Sequence, residues 1–228
     1  MTKLFEELLS NLNIKLTEEQ TLKLDKYYEL LVEWNEKINL TSIIEKEEVF
    51  IKHFYDSLCL LKGIKIDNQK LLDVGSGAGF PSLPLKIVFP NLDVTIIDAL
   101  NKRIKFLEVL TTALDLKVRL IHGRAEEHMH KNNYDIVTAR AVANLRLLSE
   151  LCIPFVKPGG VFIALKGPKH IEEIESSYNA FKMLNAELEE VITYNILDQE
   201  RSLVIVKKIK KSEKKYPRMF AQIKKSPL

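Results

Sequence analysis

Gly75, Gly77 and Gly79 alternate directly after the apolar run Leu71-Leu72-Asp73-Val74 and just ahead of Phe80-Pro81. No other feature constrains the fold as tightly, because a strand that enters a glycine loop and leaves as a helix is a building unit of a parallel α/β sheet. Glycine lacks a Cβ, so it reaches costly backbone angles and lets a ligand approach the main chain. Pro81 suits the first helical turn, where its missing N–H is not needed. A second apolar run, Val94-Thr95-Ile96-Ile97, ends at Asp98, placed to hold ribose hydroxyls.

The spacing departs from the dinucleotide fingerprint, which wants glycine or alanine where this chain has Phe80. Asp73, inside the strand end, suits a cofactor with a positive end better than a pyrophosphate. S-adenosylmethionine carries a sulfonium and an ammonium, and NAD has neither in that place. The competing readings are a strand-to-helix turn with no ligand and an NAD site.

Residues 1–66 read as helices without strand signal: Thr17-Glu18-Glu19-Gln20 is a capping box opening a segment to about Lys37, and Ser42-Ile43-Ile44-Glu45 opens another toward Leu61. From Lys70 the pattern alternates. Strands are predicted at 70–74, 93–98, 117–121, 135–139 and 160–165, with helices near 81–89, 101–114, 143–156 and 170–182. Two further strands, 187–195 and 202–208, lack a helix between them and so should pair antiparallel. The expectation is an α/β, Rossmann-like fold: a mostly parallel seven-stranded sheet with an antiparallel terminal hairpin, plus an N-terminal helical extension. Its divisions would be a helical extension (1–66), a cofactor-binding domain (67–208) and a basic tail (209–228).

No apolar run approaches a membrane span, and Met1-Thr2-Lys3-Leu4-Phe5-Glu6-Glu7 has no basic leader, so a cytoplasmic protein without a membrane partner is expected. Cys59 and Cys152, both in apolar helical contexts, read as buried free thiols. His128 and His130 beside Glu126 and Glu127 lack metal-ligand spacing, so no metal is expected. The net charge of +3 conceals an asymmetry, because residues 207–228 carry nine lysines and arginines against Glu213 alone. Such a tail either attracts phosphates or is simply a solvated terminus.

Ligands of open α/β sheets bind at the carboxyl ends of the strands. There stand Gly123-Arg124-Ala125-Glu126 after the third strand, Arg140 after the fourth and Lys166 after the fifth. Ala125 and Glu126 fall where an adenine edge would lie. Arg140 and Lys166, two cations beside the pocket, suit phosphates or bases, with capping or ion pairing as the alternative.

The strings LLDVGSGAGFPSLPL (71–85), Asp98 to Leu107, Gly123 to Glu127, Thr138-Ala139-Arg140-Ala141, Lys157-Pro158-Gly159-Gly160 and Ala164-Leu165-Lys166-Gly167 resemble the bacterial 16S ribosomal RNA guanine-N7 methyltransferase family, RsmG or GidB. So do Asn39-Leu40-Thr41, His53 to Leu58 and Glu200 to Val204. The chain departs from the family at Ser82, where glycine is frequent, and in Tyr216 to Leu228, which lacks a central glycine and proline. The resemblance implies a class I methyltransferase using S-adenosyl-L-methionine, held by Gly75, Gly77, Phe80, Asp98, Ala125, Glu126 and Arg140. Its partner would be 16S ribosomal RNA or the small ribosomal subunit, and the expected RNA contacts are Arg140, Lys166, Arg201 and Arg218. Guanine N7 has an in-plane lone pair, so alignment suffices and no catalytic general base is expected, with reacting atoms roughly 3–3.5 Å apart. The alternatives are a noncatalytic RNA-binding or ribosome-assembly protein and an NAD-linked oxidoreductase. Titration with the methyl donor and with NADH separates them.

Overall fold

The computed structural model describes residues 2–128 and 131–228. Helix α1 (Lys3–Ser10) leads into α2 (Glu18–Ile38), which opens on the expected capping box between Thr17 and Gln20. The Gln20 amide also donates to the carbonyls of Ile87 and Val88, 3.1 Å each, tying α2 to the sheet-bearing part of the chain. The next helix starts later than predicted. Thr41 Oγ1, not Ser42, organises the turn by accepting the Ile43 amide at 3.0 Å, and α3 (Lys46–Val49) begins without a side-chain cap. It runs on through a π-helical turn (Phe50–Tyr55), α4 (Asp56–Leu58) and a 3₁₀ turn (Cys59–Lys62).

Strands and helices then alternate: β1 (Lys70–Val74), α5 (Ser82–Val88), β2 (Asp93–Asp98), α6 (Asn101–Ala113), β3 (Val118–His122), β4 (Tyr134–Arg140), α7 (Leu145–Cys152), β5 (Val156–Lys166), α8 (His170–Glu175) and α9 (Tyr178–Met183). The chain closes with β6 (Ala186–Ile196), β7 (Gln199–Lys208) and α10 (Phe220–Lys225). Pro81 precedes α5 as its cap instead of lying inside it. The helix predicted at 143–156 ends at Cys152, and the one at 170–182 breaks at Ser176–Ser177, so α8 and α9 are separate.

Among the described residues the strands form one seven-stranded sheet in the order β3-β2-β1-β4-β5-β7-β6, with β7 antiparallel to both neighbours. The order reverses between β1 and β4, which pair in parallel from Leu71 with Ile136 to Asp73 with Thr138. That reversal opens a crevice at the strands' carboxyl ends. On one side of the sheet Phe5, Leu24, Tyr27, Leu31, Phe50 and Phe54 share a buried cluster with Leu71, Ile96 and Ile136, so the N-terminal helices complete the core. No described helix is long and apolar enough to cross a membrane.

The tail is docked, which corrects the picture of a solvated terminus. Tyr216 and Ile223 are buried with Leu148 and Phe155 on the other side of the sheet. Lys208 is buried, donates to the Leu184 carbonyl at 2.6 Å and is pushed down by burial to about 8. Arg218, expected to face RNA, instead grips the fully buried Glu150 through Nε at 2.7 Å and Nη2 at 2.5 Å. Removing one partner of a buried pair strands the other's charge, so Arg218→Met should lower unfolding stability by about 3–5 kcal/mol. A urea melt reads it, and a loss below about 1 kcal/mol, the range of a surface pair, would reject the anchor.

Candidate active site

The glycine loop follows β1 at the sheet's reversal point. Gly75 donates its amide to the Ile97 carbonyl at 2.8 Å, and Gly75, Gly77 and Gly79 have φ of +73°, +63° and +101°. Two of them are demanded by neighbours. A Cβ on Gly75 would lie 2.8 Å from Val142, and one on Gly79 would lie 2.6 Å from the Tyr27 hydroxyl, which donates to the Ala78 carbonyl at 2.5 Å. A Cβ on Gly77 would meet nothing within 4 Å, so this glycine keeps the loop backbone open to the crevice. Phe80 is buried, stacks on Tyr27 with ring centroids 5.4 Å apart and on His53 at 4.6 Å, and carries the Arg140 guanidinium 4.8 Å from its own centroid. The residue that breaks the dinucleotide fingerprint therefore joins the loop to the N-terminal helices, alongside the Tyr27 hydroxyl on Ala78.

Two clefts meet here. One, about 430 Å³, is lined by Gly75, Gly77, Phe80, Asp98, Arg103 and Arg140 among others. Asp98 is held ready in it: Oδ1 accepts the Leu100 amide at 2.9 Å, and Oδ2 accepts the Gly77 amide at 3.3 Å and Arg103 Nη1 at 3.4 Å. The other, about 560 Å³, takes in Lys52, His53, Arg140, Lys166 and Arg201. His53, Arg140, Ala141 and Val142 line both. Ala141 has a φ of +56°, a left-handed turn unusual for a residue with a Cβ, and it leaves Arg140 and Val142 on the wall between the clefts.

The residues around the loop fit S-adenosylmethionine. Asp73 is fully buried, with Oδ2 accepting the Ser82 amide at 3.2 Å, while Oδ1 and the hydroxyls of Ser76 and Ser82 have no hydrogen-bond partner among the described residues. Buried polar atoms without partners are costly, and a cationic, hydrogen-bonding ligand end is what they lack. Burial pushes the Asp73 carboxyl up to about 7, against the pull of the neighbouring Ser82.

Arg140 holds the centre. Its Nη1 lies 2.9 Å from Asp56 Oδ2 and 3.4 Å from the Lys52 carbonyl, and its Nη2 lies 3.3 Å from His53 Nδ1. Asp56 Oδ1 accepts the Tyr194 hydroxyl at 2.9 Å. Burial, and then the Arg140 cation, push His53 down to about 3, so the ring is neutral near pH 7.

Other expected residues are placed differently. Lys166 is buried, paired with Glu173 at 2.7 Å and donating to the Ala143 carbonyl at 2.8 Å, so it braces the loop after β4. Arg201 lines the second cleft, its Nη2 on Gln199 Oε1 at 2.6 Å. Ala125 and Glu126 line neither cleft, and Glu126 Oε1 accepts the Phe220 amide at 3.2 Å because the tail folds back over that turn. His130 lies outside the described residues, and no group of three His, Cys, Asp or Glu among the described ones could hold a metal. Motif and spacing assigned no role to His53, Asp56, Tyr27 or Tyr194. The available signal was Asp56, a carboxylate within the apolar stretch Phe54-Tyr55 to Leu58.

Known proteins resemble this chain in fold and in sequence. Structures of M. jannaschii TYW2 in complex with AdoMet (TM-score 0.59, 16% identity, 74% of this chain and 80% of that one) and of a methyltransferase from Pyrococcus furiosus (0.58, 14%, 81% and 98%) share the fold. Proteins named ribosomal RNA small subunit methyltransferase G from Streptococcus gordonii and Streptococcus sanguinis are each 50% identical over 233 residues. The Streptococcus gordonii alignment covers 98% of both chains, and one from Streptococcus pneumoniae serotype 19F, at 49% identity, covers 99% of both. The profile of the family described as rRNA small subunit methyltransferase G matches residues 20–204, taking in most of helix α2 and most of the hairpin as well as the glycine loop. With likeness running through every part of the site and nearly the whole length, the chain belongs to the rRNA small subunit methyltransferase G family.

Proposed function

We propose that this chain transfers the methyl group of S-adenosylmethionine to N7 of a guanine in 16S ribosomal RNA. The single observation that carries this reading is the pair of clefts meeting at Arg140, one glycine-walled with the buried carboxylate of Asp98 and the other lined by four cations against Asp56 and Glu173. Bound S-adenosylmethionine supplies an electrophilic methyl carbon on a positively charged sulfur. Gly75, Gly77 and Phe80 hold the donor's backbone-facing side, Asp73 its positive end and Asp98 its ribose. Ala125 offers main-chain groups to the adenine edge, with Glu126 restricted by its bond to the tail. Because N7 needs no proton removed, neither His53 nor Asp73 acts as a base, and the residues' work is alignment.

On the acceptor side, Arg140 and Arg201 face the purine and its flanking phosphates, and Lys166 fixes the loop that shapes their cleft. Arg218 anchors the tail, whose exposed Lys210, Lys211, Lys214, Lys215, Lys224 and Lys225 attract RNA without reading its sequence. Residues 1–66, 67–208 and 209–228 thus divide into a buttress, a catalytic domain and a basic strap. A purely RNA-binding role would leave the buried carboxylates of the glycine loop without purpose.

The test is transfer of labelled methyl to small subunits, or to naked 16S RNA, from cells lacking the modification. Nucleoside mass spectrometry should find 7-methylguanosine, and absence of label on both substrates would sink the assignment. Binding measured against salt reads the tail. Glutamine at the six lysines should flatten the slope by roughly 0.7–0.9 for each phosphate no longer neutralised, and an unchanged slope would remove the tail from the RNA interface.

A further inference from the structure

The π-helical turn Phe50–Tyr55 has a consequence for the active site. Within it the Asp56 amide bonds to the Ile51 carbonyl, five residues back, and to that of His53. The Lys52 carbonyl, its partner in a regular α-helix, is thereby left to accept from Arg140 Nη1 at 3.4 Å. The same widened turn sets Asp56 beside that guanidinium. Asp56 is almost completely buried, and its two oxygens are divided: Oδ2 to Arg140 at 2.9 Å and Oδ1 to the Tyr194 hydroxyl at 2.9 Å. One carboxylate thus joins the helical segment before the sheet, the end of β4, and β6 at the sheet's edge.

Arg140 needs such a holder. Lining both clefts, it can face donor and acceptor together only if its long side chain stays in one rotamer, and the ring of Phe80 beneath it constrains only one direction. Tyr194 remains a hydrogen donor because burial and the Asp56 charge both raise its phenol well above the usual range. We infer that Asp56, oriented by Tyr194, is the positioning residue that sets Arg140 for methyl transfer, so that the N-terminal helical segment governs the rate of the chemical step. This inference rests on the methyltransferase reading above.

Asp56→Asn, Tyr194→Phe and the double variant test it in the full chain, with small subunits lacking the modification as substrate. Asp56→Asn should keep S-adenosylmethionine affinity within about threefold while the single-turnover rate at saturating substrates falls about 100-fold, the penalty of a misplaced contact. Tyr194→Phe should lose roughly tenfold in rate, and the double variant should be no slower than Asp56→Asn, because both act through one guanidinium. A merely structural role would instead lower the melting temperature and donor affinity together and leave the rate of the folded fraction unchanged. Rates within about threefold of wild type, or strictly additive losses, overturn the inference. If Asp56→Asn does not fold, Tyr194→Phe decides alone by the same criterion. A wild-type protein that transfers no methyl overturns the functional reading instead, so the two failures are distinct.

Discussion

Arg140→Met is expected to reduce methyl transfer by about 10²–10³-fold, the range for removing one aligned charged donor from a reaction site. It should also lower stability by about 3–5 kcal/mol, because Asp56 would be left almost fully buried with, among the described residues, the Tyr194 hydroxyl as its remaining hydrogen-bond partner. The two effects can be separated. Combining Arg140→Met with Asp56→Leu and Tyr194→Phe replaces the ionic cluster with apolar groups of similar bulk, which can be neutral or stabilising. That triple variant should recover its melting temperature but not its transfer rate. Recovery of the rate along with the fold would show that Arg140 supports the structure and takes no part in the reaction.

Asp73→Asn is expected to weaken S-adenosylmethionine binding by about 10–100-fold, the worth of a charge-assisted hydrogen bond. Its pH signature is sharper. Burial raises the Asp73 carboxyl to about 7 from an ordinary 3.8, so the folded, donor-free protein holds a proton that the unfolded chain has released. Stability from this group is therefore fully present below about pH 4 and is lost as pH rises through about 7, by up to roughly 4 kcal/mol. The asparagine variant should lack that slope and be the more stable protein at pH 8. Donor binding runs the opposite way, because a cationic ligand selects the carboxylate. In the wild type, affinity should rise about tenfold between pH 6 and 8, and in the variant it should stay flat. Calorimetric titration at the two pH values checks this, and a flat wild-type profile would place the donor's positive end away from Asp73.

The architecture was legible because apolar runs of five or six residues announce strands buried on both faces, and β1 and β2 coincide with their predicted spans. The helical stretch before the sheet was less so. The capping signal at Ser42 misplaces the start because Thr41 Oγ1 takes the local amide and the helix begins at Lys46, and the π turn that follows shifts the hydrophobic phase and hides the face that carries His53 and Asp56. The donor side of the site was readable because the glycine loop lies in one segment and Asp98 follows at a fixed interval. On the acceptor side Arg140, Lys166 and Arg201 were named from the strand ends, but their support was not legible, because Arg140 takes its meaning from Asp56, 84 positions away, and Asp56 from Tyr194, 138 positions away. Arg218 stands in a run of basic residues like those that stay solvated, and only the fold reveals the buried Glu150 beneath it.

The Asp56 to Tyr194 bond also bears on when the protein becomes competent. Closing a contact across 138 positions requires the helices, the parallel strands and the terminal hairpin all to be in place, since Tyr194 reaches Asp56 only from a β6 already paired to β7. The glycine loop, which Tyr27 fastens from a distance of 51 positions, owes nothing to the hairpin, whereas the carboxylate that holds Arg140 takes its second hydrogen bond from it. A chain interrupted before residue 194 would lack both the hydroxyl that orients Asp56 and the strand β7 that pairs with β5, so the orientation of Arg140 is completed by the last part of the sheet to be made.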